Sequence, residues 1–112
     1  MICPAHNTAM ERTQTRFGVL YVCKQPDCTV QCWGGATSTP ADQATRDLRK
    51  RCHEVFDRLW QERGLFASRT AAYRWLAKRM EMSPRHCHIG AFDASQCRRV
   101  LALIGQGEGD RT

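Results

Sequence analysis

The sequence predicts an α+β fold in which a small N-terminal ribbon of short antiparallel strands packs on a three-helix C-terminal part. Three observations carry this expectation. Two pairs, Cys3 with His6 and Cys23 with Cys28, bracket a stretch in which Phe17, Val19 and Tyr21 alternate as a strand requires. From residue 40 onward the apolar residues recur every three or four positions, the period of a helix. Glycine, proline and capping residues interrupt that period twice and so divide it into three helices. The organisation expected is a ribbon over residues 1–39, a helical part of the same compact unit over 40–105 and a flexible tail over 106–112.

Within the ribbon, Gly18 weakens the strand or marks a bulge, and Pro26 with Asp27 marks a turn between Cys23 and Cys28. The segment from Val30 to Trp33 reads as another short strand, broken by Gly34 and Gly35. The sixteen residues between His6 and Cys23 suffice for a hairpin.

Helix one is expected from Pro40 to Arg63. Thr39 is placed to cap it, Pro40 suits its first position, and Asp42 lies near its positive end. Ala41, Ala44, Leu48, Cys52, Val55, Phe56, Leu59 and Trp60 form its buried stripe, and Arg46, Arg49, Lys50, His53 and Asp57 fall mainly away from it. Gly64 can end this helix in the left-handed conformation. Ser68 caps helix two, which carries Ala72, Trp75, Leu76 and Met80 and is expected to end near Met82, before Ser83-Pro84. After a turn through His86-Cys87-His88 and Gly90, Asp93 and Gln96 form a capping box for helix three, whose stripe is Cys97, Val100, Leu101 and Ile104. Three glycines from Gly105 onward predict a tail that frays.

The chain has 112 residues, 42% of them apolar, with three Trp, four Phe and two Tyr, enough for one modest core. Its formal charge is +6, and the excess lies in residues 40–82, where ten basic side chains face six acidic ones. Such a segment attracts phosphate, although a solvated helix face has the same composition. The opening Met1-Ile2-Cys3-Pro4 lacks the basic lead and apolar stretch of a secretory signal. No segment approaches the roughly 18 apolar residues of a membrane span. A soluble, cytoplasmic protein is therefore expected. Seven cysteines, an odd number, suit metal ligation in a reducing compartment better than a disulfide framework.

Zinc takes four tetrahedral nitrogen or thiolate ligands, and pairs two to four residues apart let one tight turn aim two side chains at one ion. Cys3, His6, Cys23 and Cys28 meet that rule and are the expected ligands of a single zinc, making the N-terminal lobe a zinc ribbon. Cys32 is the alternative to His6. Four protein ligands leave no place for a catalytic water, so the role expected is structural. A second cluster, His86-Cys87-His88 with His53 or Cys97, is the other group of metal-binding residue types, although cysteine on an apolar helix stripe is more often core.

The strings CPAH, CKQPDC, LRKRCHEVFDRLW, SRTAAYRWLA and CHIGAFDASQCRRV span residues 3 to 100. They resemble a zinc-finger-containing domain family found mainly in uncharacterised phage and prophage proteins. The resemblance implies a small zinc-bearing protein of viral or mobile-element origin and carries no established reaction. In the family the first pair is typically Cys-Pro-x-Cys, so His6 stands where a cysteine is expected.

Three functions compete on these residues. The first is a non-enzymatic nucleic-acid-binding module, DNA or RNA, with phosphate contacts from Arg46, Arg49, Lys50, Arg74 and Lys78, extended by Arg12, Arg16 and Lys24. The second is an adaptor or inhibitor that acts on a host protein complex, anchored by Trp33 or an exposed Tyr73. The third, a hydrolase, requires His53, His88 and Asp93 to converge.

Overall fold

A polar hairpin opens the fold. The computed structural model describes residues 1–35, 38–62 and 64–109. Strand β1 (Glu11–Thr15) lies antiparallel to β2 (Gly18–Val22), with Glu11 opposite Val22 and Thr15 opposite Gly18. Arg16 and Phe17 are left as a two-residue turn, closed by Gly18 at φ +123°, a region that side-chain-bearing residues rarely enter. The Thr15 hydroxyl donates to the Gly18 carbonyl at 2.8 Å and accepts the Phe17 amide at 3.1 Å. Phe17, expected on the strand, therefore projects from the turn and is 73% exposed. The β1 sequence Glu-Arg-Thr-Gln-Thr has no apolar residue, so periodicity does not mark it. Strand β3 (Gln31–Trp33) adds antiparallel to β2, with Leu20 opposite Trp33 and Val22 opposite Gln31, and the sheet order is β1-β2-β3.

Helix α1 (Gln43–Asp57) begins three residues later than its sequence signals suggest. Its cap is Asp42, whose carboxylate accepts the Thr45 amide at 2.8 Å, rather than Thr39. Tertiary pairing overrides the Thr-Pro start signal: Ala41 and Gln31 exchange backbone hydrogen bonds of 3.0 and 3.2 Å, so Ala41 bridges to the ribbon edge, and the Thr39 amide bonds the Gly90 carbonyl. Ala44, placed on the buried stripe by spacing, is exposed because the first turn of α1 lies beside the ribbon, where the Gln43 amide donates to the Thr29 hydroxyl. A π-helical turn, Arg58–Glu62, continues α1. Arg63, the expected helix end, lies outside the described residues, as do residues 110–112 of the expected tail. Gly64 takes the left-handed conformation, φ +61°.

Helix α2 (Arg69–Arg79) is capped by the Ser68 side chain, which accepts the Ala71 amide. It stops before Met82. The Met82 amide bonds the Ala77 carbonyl, the Glu81 amide bonds Lys78, and Glu81 sits at φ +56°, which is a Schellman ending with glutamate where glycine is usual. After one 3₁₀ turn at Ile89–Ala91, helix α3 (Ala94–Gly109) opens with the expected capping box. The Gln96 amide donates to Asp93 at 2.8 Å and the Asp93 amide donates to Gln96 at 3.0 Å. The helix runs past Gly105, at which the sequence predicts fraying.

The helices enclose Phe56, Leu76, Ile89, Phe92, Val100 and Ile104, all nearly or fully buried. Each such side chain stabilises the fold by roughly 1.5–3 kcal/mol relative to its exposed state. Cys52, Cys87 and Cys97 belong to this core. The ribbon has a separate, smaller core of Cys3, Met10, Cys23 and Val30, flanked by Tyr21 and Cys28. Half of the buried members of that ribbon core are thiols, so it offers little apolar area of its own. No helix among the described residues is long and apolar enough to cross a membrane.

Candidate functional site

Two tight turns aim four donors at one point. In the first, the Asn7 amide bonds the Cys3 carbonyl at 2.8 Å and Asn7 takes φ +53°, folding His6 back beside Cys3. In the second, the Cys28 amide bonds the Gln25 carbonyl at 3.1 Å with Asp27 at φ +62°, which realises the turn expected at Pro26-Asp27. The Cys23 amide bonds the Val30 carbonyl at 3.0 Å and ties this turn to the hairpin.

Cys3 Sγ lies 3.8 Å from Cys28 Sγ and 3.7 Å from His6 Nδ1, and Cys23 Sγ lies 3.8 Å from His6 Nδ1. All four donor atoms fall within 4.8 Å of one another. Zinc with sulfur at about 2.3 Å and nitrogen at about 2.0–2.1 Å sets tetrahedral edges of about 3.8 Å between sulfurs and about 3.6 Å between sulfur and nitrogen. The observed separations match those edges, and all seven cysteines are free thiols. The donor set therefore fits zinc. Cys32 is buried on β3 and is not a member of the cluster, so the geometry groups His6, not Cys32, with the three thiols.

The thiols meet opposing influences. Burial pushes Cys3 up, but hydrogen bonds from His6 and Ala5 outweigh it and leave the thiol below its ordinary value. The Gln25 amide, against burial, also holds Cys23 low. The Val30 amide would lower Cys28, yet burial and the two neighbouring thiols push it up. Several adjacent thiols cannot all ionise together without a compensating positive charge, and a divalent cation supplies one.

The sequence profile of a family described as a zinc-finger-containing domain matches residues 3–106, from the first cysteine of the cluster through most of α3. The chain belongs to this family. No curated protein and no solved structure matches the chain.

Beyond the four-donor cluster, the zinc-finger-containing domain holds two adjoining clefts. The first, about 650 Å³, lies between α1, α2 and the 84–90 segment and is lined by Arg69, Arg74, Arg85, His53, His88 and Tyr73 among others. No carboxylate among the described residues lines it. Among the described residues, none of these arginines lies within 4.0 Å of a carboxylate. Arg69 occupies the first position of α2, where the helix dipole disfavours a cation. That local conflict is a sequence signal for Arg69, whereas Arg85 carries no comparable signal.

The second cleft, about 620 Å³, lies between the sheet and α1, and Trp33, Lys50, His53, Glu54 and Asp57 are among its lining residues. Trp33 is 46% exposed. Burial holds His53 below the ordinary imidazole value, with Asp57 and the Arg49 backbone opposing the effect and the Arg69 charge adding to it.

The expected phosphate contacts separate into two groups. Lys50, Arg74 and Lys78 are exposed. Arg49 is not, and its expected place on the solvent face is corrected: it is 8% exposed and donates to Phe92 O, Thr39 O and Thr39 Oγ1 at 2.7, 2.8 and 2.7 Å. Arg46 donates to Thr29 O at 2.7 Å and to Ala41 O at 3.2 Å. Both arginines fasten the ribbon to α1. Arg12, Arg16 and Lys24 are exposed on the ribbon, with Lys24 4.0 Å from Glu11 and Arg16 over the Phe17 ring at 4.7 Å.

His53 and His88 share the first cleft, but Asp93 caps α3 and lines a different one, so the three do not converge. Tyr73, considered as an exposed anchor, is half-buried against Phe56 with ring centroids 4.5 Å apart. Among the described residues the four-donor group is the one cluster of metal-binding side chains, and Cys87 and Cys97 lie in the core instead.

Proposed function

We propose that this zinc-finger-containing domain is a non-enzymatic nucleic-acid-binding module. One structural zinc, held by Cys3, His6, Cys23 and Cys28, stabilises the ribbon, and the helical part contacts phosphates. The observation that carries the reading is the first cleft, where Arg69, Arg74 and Arg85 converge with two histidines and no carboxylate. Arginine forks suit phosphate, and a basic concavity free of acidic groups attracts a polyanion. Lys50 and Lys78 extend the surface. Arg46 and Arg49, engaged at the ribbon junction, drop out of the contact set. Four protein ligands give the zinc an architectural role, and the small ribbon core makes metal binding a large part of its folding free energy.

A cytoplasmic location belongs to the same reading, supported by seven free cysteines that suit a reducing compartment. So does a phage or prophage origin, supported by the string resemblance over residues 3 to 100. A protein-binding role draws on exposed Phe17 and Trp33.

Fluorescence anisotropy with labelled DNA and RNA at several salt concentrations tests the proposal. Binding should weaken linearly on a log–log salt plot, and Arg74→Ala should make the slope shallower by about 0.7–0.9, the loss of one phosphate contact. Absence of salt-sensitive binding to any nucleic acid would overturn the reading, and nuclease-resistant capture of a stoichiometric protein would favour the adaptor in its place.

A further inference from the structure

His53 and Gly90 line both clefts, so the two concavities meet along α1 and the 3₁₀ turn. Their characters differ. The first carries Arg69, Arg74 and Arg85 with no carboxylate among its described lining residues, whereas the second combines Lys50 with Glu54, Asp57 and the exposed Trp33 ring. Asp57 is already engaged, accepting the Trp60 indole N–H at 3.0 Å.

Resting on the nucleic-acid reading above, we propose that the joined clefts form one groove for a single polynucleotide strand. Phosphates lie along Arg69, Arg74 and Arg85, and a base stacks on Trp33. Three observations lead there. First, the cationic side chains line concavities. Reading a duplex requires a helix or ribbon that protrudes into a major groove about 12 Å wide, whereas a flexible strand can descend into a cleft. Second, each cleft falls within the roughly 300–1,000 Å³ that accommodates a drug-sized ligand, the scale of a nucleotide. Third, the charge is polarised along the groove. At the Trp33 end Glu54 and Asp57 offset Lys50 and Glu54 suits an exocyclic base amine, while the opposite end, with no carboxylate among its described lining residues, attracts phosphate more strongly. A strand therefore lies with its base toward Trp33 and its backbone toward α2. Stacking and phosphate contacts ignore the 2′-hydroxyl, so the groove accepts DNA and RNA alike.

The test measures the zinc-loaded full chain against labelled poly-dT, poly-U and a mixed-sequence duplex by anisotropy at low salt, for wild type, Trp33→Ala and Trp33→Phe. Both single strands should bind at least about tenfold tighter than the duplex. Trp33→Ala should lose roughly 5- to 150-fold for one stacked base, and Trp33→Phe should recover most of it. Thermal melts check that the variants stay folded, as a half-exposed side chain predicts. Equal affinity for duplex and single strands, or unchanged affinity in a folded Trp33→Ala, would overturn the groove while leaving the nucleic-acid reading standing. No binding to any of the three would overturn both.

Discussion

Arg49 Nε donates to the Phe92 carbonyl at 2.7 Å while the same guanidinium holds Thr39 through its carbonyl and hydroxyl. One side chain of α1 thereby joins the segment leaving the ribbon to the segment entering α3. Burial lowers the pKa of Arg49, but a guanidinium stays charged at neutral pH.

Arg49→Ala should destabilise the domain by about 2–3 kcal/mol, since it removes a charged donor from the buried Phe92 carbonyl and two more from Thr39. Arg49→Lys should recover little, because an ammonium cannot reproduce the planar fork. The adjacent, exposed Lys50→Ala should change stability by less than about 0.5 kcal/mol and weaken nucleic-acid binding instead. Urea unfolding of the three variants separates these outcomes.

The Arg49 junction also shows where sequence reasoning stops. Arg49, Cys52, Phe56 and Leu59 follow one another at spacings of three and four, so the helical period itself places Arg49 on the buried stripe. Charge argues for the opposite face, and hydrogen bonds to the carbonyls of Thr39 and Phe92, ten and 43 residues away in sequence, reverse that preference. The order of elements, the Ser68 cap and the Asp93–Gln96 box were legible because they depend on neighbours a few residues apart. Strand β1 was not, since both faces of a thin hairpin can be polar, and the late start of α1 follows from a bridge between Gln31 and Ala41. Ligand spacing pairs the four side chains whose donor atoms meet within 4.8 Å, while grouping His6 rather than Cys32 with the thiols needs the turn geometry at Asn7.

Glu81→Gly should stabilise the protein. A left-handed conformation costs an L-residue about 1–2 kcal/mol that glycine avoids, and the change also removes a carboxylate from the negative end of α2. After the greater backbone entropy of glycine in the unfolded chain, a gain of about 0.5–1 kcal/mol remains, read as a higher Tm.

His53 should contribute a pH dependence of defined sign. Its folded pKa lies below the ordinary 6.5, so the unfolded chain takes up the proton first. This contribution is fully present above about pH 6.5 and is lost as pH falls through the lowered folded value. His53→Gln should flatten that part of the stability profile relative to wild type, as measured by urea unfolding across the window. An unchanged slope would remove His53 as its source.

Cysteine reactivity should divide by location. Burial pushes Cys52 up to about 12 and Cys87 up to about 11, so both should resist alkylation in the native protein at neutral pH. Chelation should expose Cys3, Cys23 and Cys28 to the reagent while leaving Cys52, Cys87 and Cys97 protected by the helical core. Mass spectrometry of peptides after brief labelling, with and without chelator, reads this pattern.

Zinc K-edge X-ray absorption on the metal-loaded protein probes the centre directly. One zinc per chain is expected, with three sulfur neighbours at about 2.3 Å and one nitrogen at about 2.0–2.1 Å, and the nitrogen should disappear in His6→Cys. A four-sulfur shell in the wild type, or a protein that folds with no zinc, would contradict a structural centre built from Cys3, His6, Cys23 and Cys28.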